Sequence, residues 1–332
     1  MPADAPDATR PLGARGRAVA GIALGFVTLS AQVLLLRELW CATWGSEALA
    51  GIALAVWLAA GGAGSALGAR AVKRLLGAGA GLVATLAALA LAMPGAIVLL
   101  RWWPAAASDA PGAAPDLIRS ALYALASLGA VGFLAGALFP LVLKHLFAGD
   151  GDAGPARLYR WDMVGSLMAG VALTAAVLAF GLGGLRGAFL VGVVALVLAA
   201  WLSRRKTPAV FLVVGATALA LLAFPDLDRW TLAWRHPAEK VLSVAETAAG
   251  RLVLTERQGQ TNAYLSGRFA ASPGAVERAE AVAAVAAGEC ARPERALLLG
   301  DALASSARSR VISRNMTRTP RSSSSPAASG TT

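Results

Sequence analysis

This sequence has little charge, little cysteine and little histidine. Asp, Glu, Lys and Arg make up 15% of its 332 residues, whereas soluble domains carry about 25%. The shortage is local. The long apolar runs lie before Pro225, and most of the charge lies before Arg17 or after Asp226. A single hydrophobic globule is therefore excluded in favour of a membrane part joined to an extramembrane part. The two cysteines, Cys41 and Cys290, are too far apart for a disulfide framework or a zinc spacing. His145 and His236 are equally isolated, so no His-based metal site is expected. Acids are missing from the centres of the apolar runs. That speaks against a proton- or cation-coupled transporter, whose path needs such groups.

What is abundant is apolar length, at 57% hydrophobic residues. A spanning helix needs about 20 of them. Candidate spans are 18–36, 46–68, 76–100, 119–143, 163–183, 186–203 and 208–224. Small residues crowd these runs, as in GGAGSALGA at 61–69 and GAGAG at 77–81. Such faces suit close helix packing in lipid, although an alanine-rich composition gives many of them by itself. The opening MPADAPDATRPLGARGR is polar and reads as disordered. The apolar run behind it is long for a signal peptide and ends in LRELW without a small-residue cleavage site, which makes it a retained first helix.

The formal charge is +11, yet the basic residues form no nucleic-acid stripe. They sit between apolar runs, as Arg10, Arg15 and Arg17, then Arg70, Lys73 and Arg74, then Arg204, Arg205 and Lys206. Cations at helix ends orient a protein in a bilayer. If every span crosses, the N-terminus and the 69–75, 144–160 and 204–206 loops share one side, the inside. A crossing at 208–224 would then put everything after Pro225 outside. A re-entrant 208–224 segment, near the short limit for a span, would keep it inside. The sequence alone allows both.

Polar residues near the spans are the candidates for function. Gln32, Arg37 and Glu38 close the first helix in SAQVLLLRELW, and Glu47 opens the second in GSEALAGIALAVWL. A short connection brings these four to one interface as a membrane polar cluster. It is either an ion-paired group that recognises a substrate or orients the soluble part, or a set of snorkelling side chains beside the anchors Trp40 and Trp44. General physics favours the second reading. Asp162, after Tyr159, Arg160 and Trp161, is expected to cap the fifth span at its N-terminus.

After Asp226 the pattern changes. KVLSVAET, GRLVLTER and NAYLSGRF are short β-type runs separated by Ala249-Gly250, Gln258-Gly259 and Ser266-Gly267, which predicts a small antiparallel sheet. AVERAEAVAAVAAGEC reads as a helix, and ERALLLGDA as a buried strand running into a glycine turn. Nucleotide-binding α/β domains begin that way. Gly300 and Asp301 are the nucleotide-site candidates, although no second glycine follows. The stretch after Asp301 has no acid and no aromatic, and its Ser, Arg, Thr and Pro content predicts disorder. The expected division is a disordered basic 1–17, a transmembrane bundle at 18–225, a soluble 226–301 and a disordered 302–332.

Taken together, these pieces resemble the spermidine synthase (polyamine aminopropyltransferase) family, specifically bacterial members with a membrane bundle ahead of the enzyme domain. In the membrane part the resemblance rests on SAQVLLLRELW, GSEALAGIALAVWL, GALFPLVLKH and LYRWDMVGSLMAG. In the soluble part it rests on GRLVLTERQGQTNAYLSGRFAASPGAVERAEAVAAVA followed by RALLLGDA. The resemblance implies a multi-pass protein of the bacterial inner membrane. It also implies a small β-domain leading into a Rossmann-like fold, with decarboxylated S-adenosylmethionine as co-substrate and a polyamine as acceptor. No cofactor or metal is required by the sequence itself, and the bilayer is the one partner it names. Carried over by position, Gly300 and Asp301 stand in the family's cofactor loop. Glu280 stands in its substrate-binding gate helix, where the Tyr-His-Glu stretch is here Arg278-Ala279-Glu280. A glutamine usual in the hairpin falls near Ala270. The family's catalytic aspartate and ribose-binding acid would lie beyond Asp301, in the polar stretch. That stretch resembles the product of a frameshift or a truncated gene. The expected fold is thus a mostly α, polytopic bundle of about seven helices, then a small β-sheet and the start of a Rossmann-like domain, without activity in this chain.

Overall fold

The computed structural model describes residues 12–44, 47–106, 115–203, 226–247 and 250–272. It is mostly helical. Six long apolar helices carry the mass of the described residues: α1 Ala14–Thr43, α2 Glu47–Leu76, α3 Ala78–Ala106, α4 Leu117–Leu146, α5 Ala153–Phe180 and α6 Gly184–Ser203. Each is long and apolar enough to cross a bilayer. A seventh, α7, is the short Leu227–Ala233. Wide π turns interrupt α2 at Gly64–Gly68 and α4 at Leu125–Gly129. Pro94, Pro104 and Pro140 lie inside helices, as neighbouring helices in a membrane bundle allow. Gly181, in the left-handed region at φ 60°, ends α5 and donates to the Ala176 and Val177 carbonyls.

The helices run alternately up and down, and their contacts fix the order. Arg17 at the start of α1 pairs with Asp150 ahead of α5 at 2.6 Å. Further along, a side chain at Gly25 would overlap the Asp162 carbonyl, and one at Gly165 would overlap the Ile22 carbonyl. So α1 and α5 are parallel and touch backbone to backbone. In the same way α2 lies along α4, with Gly64 on the Phe133 carbonyl and Gly136 on Gly61. The small-residue run at 61–69 therefore has a packing purpose beyond composition. Helices α3 and α6 are antiparallel, because Gly192 meets Ala90 while Gly184 meets Arg101. One end of the bundle consequently holds Ala14, the α2–α3 and α4–α5 connections and Ser203. The other holds the α1–α2, α3–α4 and α5–α6 connections.

Four strands follow: β1 Lys240–Thr247, β2 Gly250–Arg257, β3 Gln260–Leu265 and β4 Arg268–Ala271. They form an antiparallel meander in chain order. The turns at Gln258-Gly259 (φ 52° and 79°) and Ser266-Gly267 (φ 49° and 81°) both place two residues in the left-handed region. That is the two-residue hairpin whose twist matches its strands. The small antiparallel sheet is thus present as expected. The Rossmann-like continuation, including Glu280, Gly300 and Asp301, lies outside the described residues, as do the 208–224 segment and the 302–332 stretch.

Two expectations need correction. Helix α1 starts at Ala14, within the stretch expected to be disordered, and α5 starts at Ala153 instead of 163. Asp162 is therefore no cap. It lies nine residues past Ala153, about 14 Å along the axis, so an acid does stand inside a span. The flanking AGPARLY is polar enough to hide the helix's first turns from a hydropathy reading, although nothing in it breaks a helix after Pro155.

Candidate functional site

Among the described residues the sheet and α7 share a hydrophobic core of four buried residues, Leu232, Val241, Val253 and Tyr264. So small a core does not stabilise a module alone. What the module has instead is a charged weld to the bundle's second end. At its centre is Glu38, near the C-terminal end of α1, which is 2% exposed. Two guanidiniums grip its carboxylate. Arg101 of α3 donates through Nη2 to Oε1 at 2.8 Å and through Nε to Oε2 at 3.3 Å. Arg251 of β2 donates through Nη1 to Oε2 at 3.0 Å and through Nη2 to Oε1. Arg101 and Arg251 are as buried as Glu38. Forked pairing of this kind satisfies both carboxylate oxygens and fixes direction as well as distance.

Both arginines have further partners. Arg101 donates to Thr231 Oγ1 of α7 at 2.6 Å and pairs with Asp228 at 2.8 Å. Asp228 also accepts the Leu185 N–H at 3.1 Å, which ties α7 to the first turn of α6. Arg251 donates through Nε to Glu246 of β1, and Glu246 takes a second bond from Arg37 Nη2 at 2.7 Å. Three carboxylates and three arginines thus neutralise one another, with Arg186 at the margin 3.9 Å from Asp228. Burial works against the charge on Arg251, but Glu38 beside it holds that guanidinium well above its ordinary pKa.

The backbone makes room for this. Gly184 adopts φ +56°, and a Cβ there would come within 2.6–2.8 Å of Arg101, Arg251 and Glu38. At Gly183 a Cβ would press on Glu246. The end of α1 is capped from the sheet side. Arg235 donates to the Cys41 and Ala42 carbonyls at 3.0 and 3.1 Å, and Arg268 donates to the Trp44 carbonyl at 2.7 Å while lying over the Trp44 ring. Cations at the last carbonyls of a helix satisfy them and complement its dipole.

A second polar group lies inside the module. Glu239 accepts from Thr255, from the Tyr264 hydroxyl at 3.0 Å and from Asn262 at 3.4 Å. His236 stacks on Tyr264 with ring centroids 4.6 Å apart, and its Nδ1 has no hydrogen bond. Burial pushes its pKa down to about 4, and burial with Glu239 pushes the Tyr264 hydroxyl up to about 12. A cavity of about 20 Å³ separates these residues from Cys41 and Arg251. In the bundle, a lateral groove of about 1050 Å³ runs between α1, α2 and α5, lined by Thr28, Gln32, Trp57, Ser166 and Thr174 among others.

The four residues expected to cluster at one interface do not all meet. Arg37 and Glu38 enter the weld through different partners. Gln32 lines the groove instead, and Glu47 is exposed at the start of α2. The snorkelling reading fails for Glu38, which points into protein and not toward water. Arg101, Asp228, Glu246 and Arg251 were not foreseen. The available signal for Arg101 was a cation between apolar IVLL and WW; Arg251 and Glu246 look like ordinary strand residues. Among the described residues no group of His, Cys, Asp or Glu is placed to hold a metal. No family model, curated protein or solved structure matches this chain.

With its oxygens fully occupied, Glu38 has no capacity left for proton transfer or ligand binding. The weld is a clamp. Glu38→Ala leaves two buried guanidiniums without their shared partner, a loss of about 3–5 kcal/mol. Thermal unfolding in detergent should show it as a marked fall in melting temperature; an unchanged transition would mean the clamp contributes nothing. His236 gives a pH signature. Its folded pKa of about 4 lies below the ordinary 6.5, so between those values the unfolded chain binds more protons and stability falls on acidification. The fall is at most about 3 kcal/mol, and it should flatten over that window in His236→Phe.

Proposed function

We propose that this chain is the membrane anchor and N-terminal β-module of a spermidine synthase-like aminopropyltransferase, and that the chain does not itself catalyse transfer. One observation carries the reading. The stretches on which the resemblance rests are the ones that bind each other: Glu38 and Arg37 of SAQVLLLRELW hold Arg251 of GRLVLTER and its partner Glu246. Likewise, LYRWDMVGSLMAG lies on α1 through Asp162 and Gly165, and GALFPLVLKH lies on α2 through Gly136. Bundle and module are joined by these contacts, with the module held against the end of α1. In the family this resembles, such a module leads into the domain that binds decarboxylated S-adenosylmethionine and passes its aminopropyl group to putrescine. That step needs a carboxylate to deprotonate the attacking amine. The positions after Asp301, where the family's carboxylate would stand, contain no acid. The inner membrane of a bacterium is the location this reading implies.

Asp162 supports a second reading, a cation-coupled transporter. Its carboxylate makes no hydrogen bond or ion pair among the described residues, and it sits inside a span on the helix that walls the groove. An intramembrane carboxylate without a partner is a functional group by default.

Two measurements separate these readings. Purified protein given labelled decarboxylated S-adenosylmethionine and putrescine should form no spermidine above background; clear turnover would sink the claim of inactivity. In proteoliposomes, amine uptake driven by a pH gradient and abolished by Asp162→Asn would establish transport, and its absence would leave the anchor reading standing.

A further inference from the structure

The two ends of the bundle differ in charge, and the weld attaches the β-module to one of them. At the first end stand Arg15 and Arg17 on α1, Arg70, Lys73 and Arg74 on α2, Lys144 on α4, and Arg157 and Arg160 on α5. The acids toward that end are Asp150, which pairs with Arg17 and Arg157, Asp152, and Asp162, two residues past Arg160. At the second end the six bundle helices bring, among the described residues, Arg37, Arg101, Arg119 and Arg186. Each of these faces a carboxylate: Glu246, Glu38, Asp116 and Asp228 respectively. Lys and Arg counted near span ends decide orientation, and the richer side stays in the cytoplasm. The first end is therefore cytoplasmic.

The module sits on the other end. Glu38, Arg101 and the Cys41 carbonyl, which it grips, all lie where α1 and α3 finish. Asp228 holds the first turn of α6 there. The last described residue of α6, Ser203, is at the opposite face. We infer that the β-module faces the extracytoplasmic side of the membrane, and that any small molecule reaching it comes from that side. The basic loops and the weld carry this independently of the aminopropyl reading. If both hold, the amine acceptor is drawn from extracytoplasmic water, and a cytoplasmic adenosyl donor must be delivered across the membrane to meet it.

The test uses the full chain expressed in bacterial cells, on a Cys290→Ser background in which the remaining Cys41 is buried. Arg257→Cys places a thiol at the exposed end of β2, and Leu75→Cys places one at the first end, 81% exposed, without changing charge there. A membrane-impermeant maleimide applied to intact cells should label position 257 and spare position 75. Opening the membrane with detergent should make both reactive, which also shows that both variants present their thiols. Label at 75 with protection at 257, or equal labelling of both in intact cells, would overturn the assignment. Loss of the aminopropyl reading in the transfer assay would leave the labelling pattern unchanged.

Discussion

The described β-module is fixed to the bundle chiefly through one carboxylate shared by two guanidiniums. Removing three charged groups from water is costly, and a buried ion pair often contributes less stability than an apolar replacement of the same shape. The Glu38 cluster limits that cost by completeness. Both oxygens of Glu38 are bonded, Arg101 also reaches Asp228 and Thr231 through its outer nitrogens, and Arg251 reaches Glu246 through Nε. What such an arrangement gives in return is direction. An apolar contact of equal area would tolerate sliding between sheet and bundle, whereas two forked pairs meeting at one carboxylate admit one register.

The module's architecture explains why direction is needed. Among the described residues its own apolar core is four buried residues, and its strands offer one meander with short hairpins. Burial alone does not hold so thin a sheet at a membrane surface. Caps from Arg235 and Arg268 onto the end of α1 join the clamp, so the last turn of a spanning helix becomes part of the sheet's support. Glycines 183 and 184 clear the space in which the charges meet. A side chain at either position would enter a fully occupied polar cavity, where there is no slack to absorb it.

Different parts of this structure were legible to different degrees. The spans declared themselves through apolar length, which needs no tertiary information. Their ends did not, because a helix runs on through polar residues that fall outside an apolar window; α5 began ten residues before its expected start, through AGPARLYRWD, for that reason. The hairpin turns were legible because Gln258-Gly259 and Ser266-Gly267 sit between β-type runs, where few dipeptides fit. Glu38 and Arg37 stood out as charges at a span end. Their partners did not, since Arg101 lies 63 residues away and Arg251 lies 213. No local spacing encodes a contact of that range, and surface geometry alone separates a snorkelling glutamate from a clamped one.

That separation along the chain also sets an order of events during synthesis. Glu38 enters the membrane with the first helix. Arg101 follows two spans later, and Arg251 is made only after the whole described bundle. Through that interval the carboxylate is held by neither, then by one, and finally by both of its cations. Until β1 and β2 have been made, Glu38 has Arg101 alone and Arg37 lacks Glu246, so the second end of the bundle carries a positive charge that the module's carboxylate later neutralises.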